Sequence, residues 1–156
     1  MMRRALGFTI IELMVVMAVM GILATAALPL VELTAKRNKE RELKQAIWEI
    51  RRGIDAYKSA YDKGRIANIS GASGYPPSLA VLANGAADAT ASGKTLYFLR
   101  RIPKDPFARG DLPAEESWGV RSYASPPDRP EAGADVFDVY SLSDDVGING
   151  VPYKRW

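Results

Sequence analysis

Apolar and polar positions divide the chain near residue 35. Residues 13–31 hold nineteen side chains without a charge, and within residues 8–31 Glu12 is the only charged one. A helix rises about 1.5 Å per residue, so such a run spans the roughly 30 Å hydrocarbon core of a bilayer. Past it the period changes. Leu43, Ile47, Ile50, Ile54, Tyr57 and Tyr61 recur at intervals of 4, 3, 4, 3 and 4 residues, one apolar stripe on an amphipathic helix. Lys44, Glu49, Arg51, Arg52, Asp55 and Lys58 fill the remaining surface, and Glu40 is spaced to pair with Lys44 one turn on. Gly64, after Lys63, marks a C-terminal stop. The pattern predicts one helix over residues 8–62, apolar all round in its first half and on one face in its second. The stripe is shorter than three full heptads, which favours packing on a domain over a coiled coil.

Residues 65–93 turn to Gly, Ala, Ser, Asn and Pro, with Tyr75-Pro76-Pro77 as a turn. A short helix is expected over residues 78–82, capped by Ser78, and an exposed loop over residues 83–93. Residues 96–102 read equally as a strand or a helical turn, ended by Pro103-Lys104-Asp105-Pro106. Strands are expected at residues 118–124 and 136–142. In the first, Trp118, Val120, Ser122 and Ala124 alternate with Arg121 and Tyr123; in the second, Phe137 and Val139 oppose Tyr140 and Leu142. The connection, residues 125–134, contains Pro126, Pro127, Pro130 and Gly133 and suits a loose hairpin. One long helix packed on a small antiparallel sheet buries both apolar faces, which gives an α+β fold.

Composition narrows the chemistry. About 120 of the 156 residues follow the apolar run, enough for one small domain. There is no cysteine and no histidine. That excludes disulfides, Ser-His-Asp and Cys-His nucleophilic sites, and the usual zinc ligand sets. A membrane-anchored hydrolase working through carboxylates remains as a distant alternative, with Asp105, Glu115, Glu116, Asp135 and Asp138 as its material. No spacing marks a pair among them. Net charge is +3, with basic residues concentrated at Arg3 and Arg4 and within residues 36–44. Such clusters suit lipid headgroups better than nucleic acid, and no nucleic-acid partner is expected. Lys36, Arg37, Lys39, Arg41 and Lys44 outnumber Arg3 and Arg4, so the positive-inside rule alone does not place the N-terminus in the cytoplasm.

Glu12 is the anomaly of the apolar run, because an acid at membrane depth is a functional residue by default and needs a partner. A secretory signal peptide would also begin with basic residues and could end at Ala24-Thr25-Ala26, but its apolar core is shorter, about 7–15 residues. Neither it nor a plain anchor accounts for Gly7-Phe8 followed by Glu12. MRRALGFTIIELMVVMAVMGILA closely resembles the class III signal of type IV pilins and type II secretion pseudopilins. The resemblance implies a leader of residues 1–7, cut after Gly7 by a prepilin peptidase, and N-methylation of the new N-terminal Phe8. Glu12 becomes the fifth mature residue, where the family keeps its assembly glutamate. Pro29 becomes the twenty-second, where the family's helix commonly bends. Residues 8–35 are then the membrane and filament-core half of the helix, and residues 36–156 a periplasmic pilin-like domain. The family topology puts the leader in the cytoplasm and the domain outside the inner membrane. Its partners are copies of the same chain and related subunits in a helical filament, together with an inner-membrane assembly platform.

The second half resembles, more narrowly, the major pseudopilin of type II secretion. The carriers are YFLRRIPKDPF, Trp118-Gly119, DVFDVYSLSDD and the terminal Trp156. The resemblance implies a structural, non-enzymatic subunit of a periplasmic pseudopilus. A type IV pilus subunit for adhesion, motility or DNA uptake is the alternative, although a tip pilin usually carries a disulfide-bounded C-terminal loop. The subfamily also has an aspartate-rich calcium loop after the final strand. Asp144 and Asp145 stand where its first ligands fall, but residues 146–153 hold no carboxylate. Calcium takes about 6–8 oxygens, so this loop offers at best a weak site. The plainer reading makes Asp144 and Asp145 turn residues.

Overall fold

The computed structural model describes residues 7–68 and 70–156, apart from the side chains of residues 26–29. The chain divides into two compact units, Met1–Asn38 and Lys39–Trp156. Helix α1, Ile10–Asp62, contributes to both. It begins two residues later than the apolar pattern suggests, because Thr9 caps it. The Glu12 amide donates to Thr9 Oγ1 at 3.3 Å, and the Leu13 amide makes the first helical bond to the Thr9 carbonyl at 3.1 Å. Within the first unit the described apolar side chains stand in the open: Phe8 is 84% exposed, Ile11 73% and Met17 68%.

In the second unit the same helix buries one stripe. Leu43, Ile47, Ile50, Ile54 and Tyr57 are all buried, and Tyr61 packs partly against them. Gly64 ends the helix as its position suggests. It adopts φ +69°, its amide bonds to the Tyr61 carbonyl, and the Arg65 amide reaches back to Ala60. That pair of bonds is a Schellman closure around a left-handed glycine.

The remaining elements are short. Helix α2 spans Ala80–Asn84, two residues beyond its predicted start, and Ser78 does not cap it; Leu79 holds the cap position without a side-chain bond. Strands β1, Ala86–Ala87, and β2, Thr95–Leu96, pair antiparallel, so residues 83–93 are not simply an exposed loop. Beyond β2 the chain is neither strand nor helical turn. Phe98 and Leu99 donate their amides to the Leu82 carbonyl, and Leu99 is buried against Gly53 of α1. Strands β3, Trp118–Arg121, and β4, Asp138–Ser141, pair antiparallel with Trp118 opposite Ser141 and Arg121 opposite Asp138. Both are shorter than the alternation predicts. Among the described residues there are two two-stranded sheets rather than one, and the class is α+β as expected. Leu82, Leu99, Ile102, Trp118, Val136, Val139 and Tyr153 complete the core around the α1 stripe.

Candidate assembly and processing site

The N-terminal site residues lie together at the start of α1. Gly7 and Phe8 precede the helix and Glu12 is in its first turn. A Cβ added to Gly7 would meet nothing within 4 Å, so no packing among the described residues demands glycine there. Residues 1–6 of the expected leader lie outside the described residues, and so does the Pro29 side chain, although α1 is assigned as continuous through it.

One feature of this site was legible in the sequence and missed. Thr9-Ile10-Ile11-Glu12 has the T-x-x-E spacing of a capping box, and its first bond, from the Glu12 amide to Thr9 Oγ1, is formed. That bond uses the backbone amide of residue 12 and not the Glu12 carboxylate. Its negative charge also complements the positive end of the helix dipole.

The C-terminal loop is built around charges that the sequence reading assigned elsewhere. Glu40 of α1, expected to pair with Lys44, accepts through Oε1 from the Ile148 amide at 2.7 Å and from the Tyr153 hydroxyl at 3.0 Å. Burial, reinforced by the Glu40 carboxylate, pushes the Tyr153 hydroxyl well above its ordinary pKa, so it remains a donor. Lys44 lies instead over the Trp156 ring. Asp144 accepts from Lys154 at 2.5 Å and lies 3.8 Å from Arg109, which hold its carboxyl below the ordinary range. The Val151 carbonyl is taken by the Gly147 amide and the Trp156 indole. No group of three or more His, Cys, Asp or Glu side chains suited to a metal ion occurs among the described residues. With Asp144 facing two cations, Asp144 and Asp145 do not fit the donor set that calcium needs.

The carboxylates of the hydrolase alternative are engaged structurally or stand in solvent. Asp105 is buried, accepting from the Ser141 hydroxyl at 2.6 Å and the Phe107 amide at 2.7 Å. Asp135 accepts from Ser122 Oγ and the Tyr123 amide, and Asp138 pairs with Arg51 at 2.7 Å and Arg121 at 3.6 Å. Glu115 and Glu116 lie exposed in a 3-10 turn, Ala114–Ser117.

Residues 2–28 match the family model described as the prokaryotic N-terminal methylation motif. The N-terminal segment thus carries the signal of type IV pilin-like proteins, a structural rather than enzymatic family of filament subunits processed by prepilin peptidase. By length and composition α1 is able to cross a membrane once, and no residue of its apolar window is buried among those described. No curated protein and no solved structure gives a match.

Proposed function

We propose that this protein is a structural subunit of a periplasmic pseudopilus that drives type II protein secretion. The observation that carries the filament part is the methylation motif leading into a helix whose first half has its described apolar side chains exposed. The resemblance of residues 97–107 and 135–145 to the major pseudopilin favours secretion, and the absence of cysteine weighs against a disulfide-looped tip pilin. A type IV pilus subunit remains the alternative. Deleting the gene and assaying secreted proteins against surface pili separates the two: lost secretion with normal pili supports the first, and the reverse result overturns it.

In this reading the peptidase cuts between Gly7 and Phe8, and the domain lies in the periplasm. Nothing among the described residues requires glycine at residue 7, so the requirement is assigned to the peptidase. The new Phe8 amine lies about one helical turn from Glu12. In the filament, Glu12 of one subunit meets the Phe8 amine of its neighbour, cancelling two charges otherwise stranded among apolar helices. Removing one partner leaves the other buried and unpaired, which costs more than the pair contributes. Glu12→Gln isolates this role, because glutamine also completes a capping box but carries no charge. We expect Glu12→Gln to insert and be cleaved normally yet fail to join filaments. Wild-type filament numbers in that variant would show that the Glu12 charge is incidental to assembly. The C-terminal loop is closed by Lys154 in place of a divalent cation, so added calcium should leave the melting temperature of the purified protein unchanged; a clear rise would restore the calcium loop.

A further inference from the structure

The second unit carries a groove of about 430 Å³ whose walls include Lys44, Trp48, Arg51, Arg155 and Trp156. Trp48 is 59% exposed on α1, off the buried stripe, so the core does not account for it. The Arg52 guanidinium lies 4.5 Å from the centre of the Trp48 ring, and the Lys44 ammonium 4.6 Å from that of Trp156. Arg51 is neutralised by Asp138. Arg155 is exposed and has no carboxylate partner among the described residues. Open tryptophan flanked by arginine is the composition of an interface hot spot.

The same unit presents an acidic surface at residues 111–116. Asp111, Glu115 and Glu116 are exposed, and no cation pairs with them among the described residues. Leu112 is 39% exposed beside them. The turn is held from below: Ser117 Oγ donates to the Ala114 carbonyl at 2.7 Å and accepts from the Asp105 amide at 3.1 Å. Its carboxylates are therefore presented on fixed backbone, which lowers the ordering cost of docking.

We propose that this acidic turn of one copy docks into the tryptophan groove of the next. Leu112 lies against Trp48, and the carboxylates face Lys44, Arg52 and Arg155. The inference rests on the filament reading above and supplies a contact between domains. The two patches are different surfaces of one subunit, so the contact is heterologous. Repeated without ring closure, such a contact generates an open helical filament. An anionic lipid surface also suits tryptophan flanked by cations. The turn is the better occupant because it brings negative charge and an apolar residue together, in one-to-one number with the groove.

The chain has no cysteine, so Arg155→Cys and Glu116→Cys together place the only thiols at two exposed positions. The full-length protein, expressed with its processing machinery, is treated in native membranes with a short thiol–thiol linker. A ladder of dimers, trimers and larger species is expected from the double variant and none from either single one. Absence of the ladder overturns the contact, and so does a dimer from Glu116→Cys alone, which would mean that like surfaces meet. Electron microscopy of the same cells judges the underlying reading separately: filaments without a ladder remove this contact only, whereas neither filaments nor ladder removes both. Arg155→Glu should lower filament number about tenfold, since like charges then oppose across the interface, and Glu116→Arg should restore it. If Arg155→Glu instead weakens binding to phosphatidylglycerol vesicles and no ladder forms, the occupant is lipid and the proposal falls.

Discussion

Ile11 and Ile50 belong to the same helix, yet Ile11 is 73% exposed and Ile50 is fully buried. Identical side chains in identical backbone geometry thus face different solvents. Ile50 belongs to a buried core that also holds Leu82, Leu99, Val139 and Tyr153. Ile11 belongs to a run of described apolar side chains that stand exposed from Phe8 to Leu23, and a continuous apolar surface of that kind marks a membrane or partner-binding segment. The difference teaches where stability and assembly are encoded. Residues 39–156 carry what holds the domain, and the apolar residues before them carry what joins the chain to something else.

The strongest way to break this comparison is to truncate both isoleucines in the full-length protein in detergent. Ile50→Ala should destabilise the domain by about 2–5 kcal/mol, the range for deleting a buried aliphatic side chain. Ile11→Ala should leave thermal unfolding of the domain unchanged and act only on insertion or assembly. Equal losses in melting temperature would mean that the exposed segment also supports the domain.

A second pair of variants uses glycines. A Cβ on Gly119 would run into the ring of Tyr140, its direct partner across β3 and β4, whereas one on Gly21 would meet nothing within 4 Å. Gly119→Ala should therefore cost about 1–3 kcal/mol by overpacking. Adding Tyr140→Ala should recover part of that loss by clearing the ring. Gly21→Ala should be neutral or slightly favourable to the helix, because alanine is the better helix former by about 1 kcal/mol. Chemical denaturation of the three variants checks the set, and a stable Gly119→Ala would mean that the strand pair yields more easily than its geometry suggests.

What could be read from the sequence follows the range of the forces involved. The helix, its buried stripe and its glycine stop were legible because each is a local pattern with a fixed period or a single left-handed residue. The pairing of β3 with β4 was legible in outline, although both strands proved shorter than their alternation. The β1–β2 pair was not, since strands of two residues carry no period and their order comes from partners distant in the chain. Glu40 shows the same limit. Its spacing to Lys44 suggested a helical ion pair, but the Ile148 amide and the Tyr153 hydroxyl, more than a hundred positions away, take its carboxylate. At the N-terminus the Gly7-Phe8 junction and Glu12 were visible as a signal, and the Thr9 cap was equally visible and overlooked.

Asp88 gives the finest test, because it lies in the stretch where the sequence was least informative. It is buried, although residues 83–93 had the composition of an exposed loop. Its Oδ1 accepts from the Thr90 hydroxyl at 2.6 Å and the Thr90 amide at 3.0 Å, and its Oδ2 pairs with Arg65 at 2.5 Å. The bond from Thr90 and then that from Arg65 lower its pKa from 3.8 to about 2. A carboxyl depressed in the folded state stabilises fully above its unfolded value, and the contribution disappears as pH falls through the folded one. The window here runs from about pH 4 down to about pH 2. Asp88→Asn should melt below wild type at neutral pH, and the two curves should converge as acid removes the wild-type charge. The apolar segment has no such packing to lose, so in micelles its helical ellipticity should persist where the domain's near-ultraviolet signal has gone. A gap between Asp88→Asn and wild type that stays constant down to about pH 2 would place the acid sensitivity of the domain in another carboxylate.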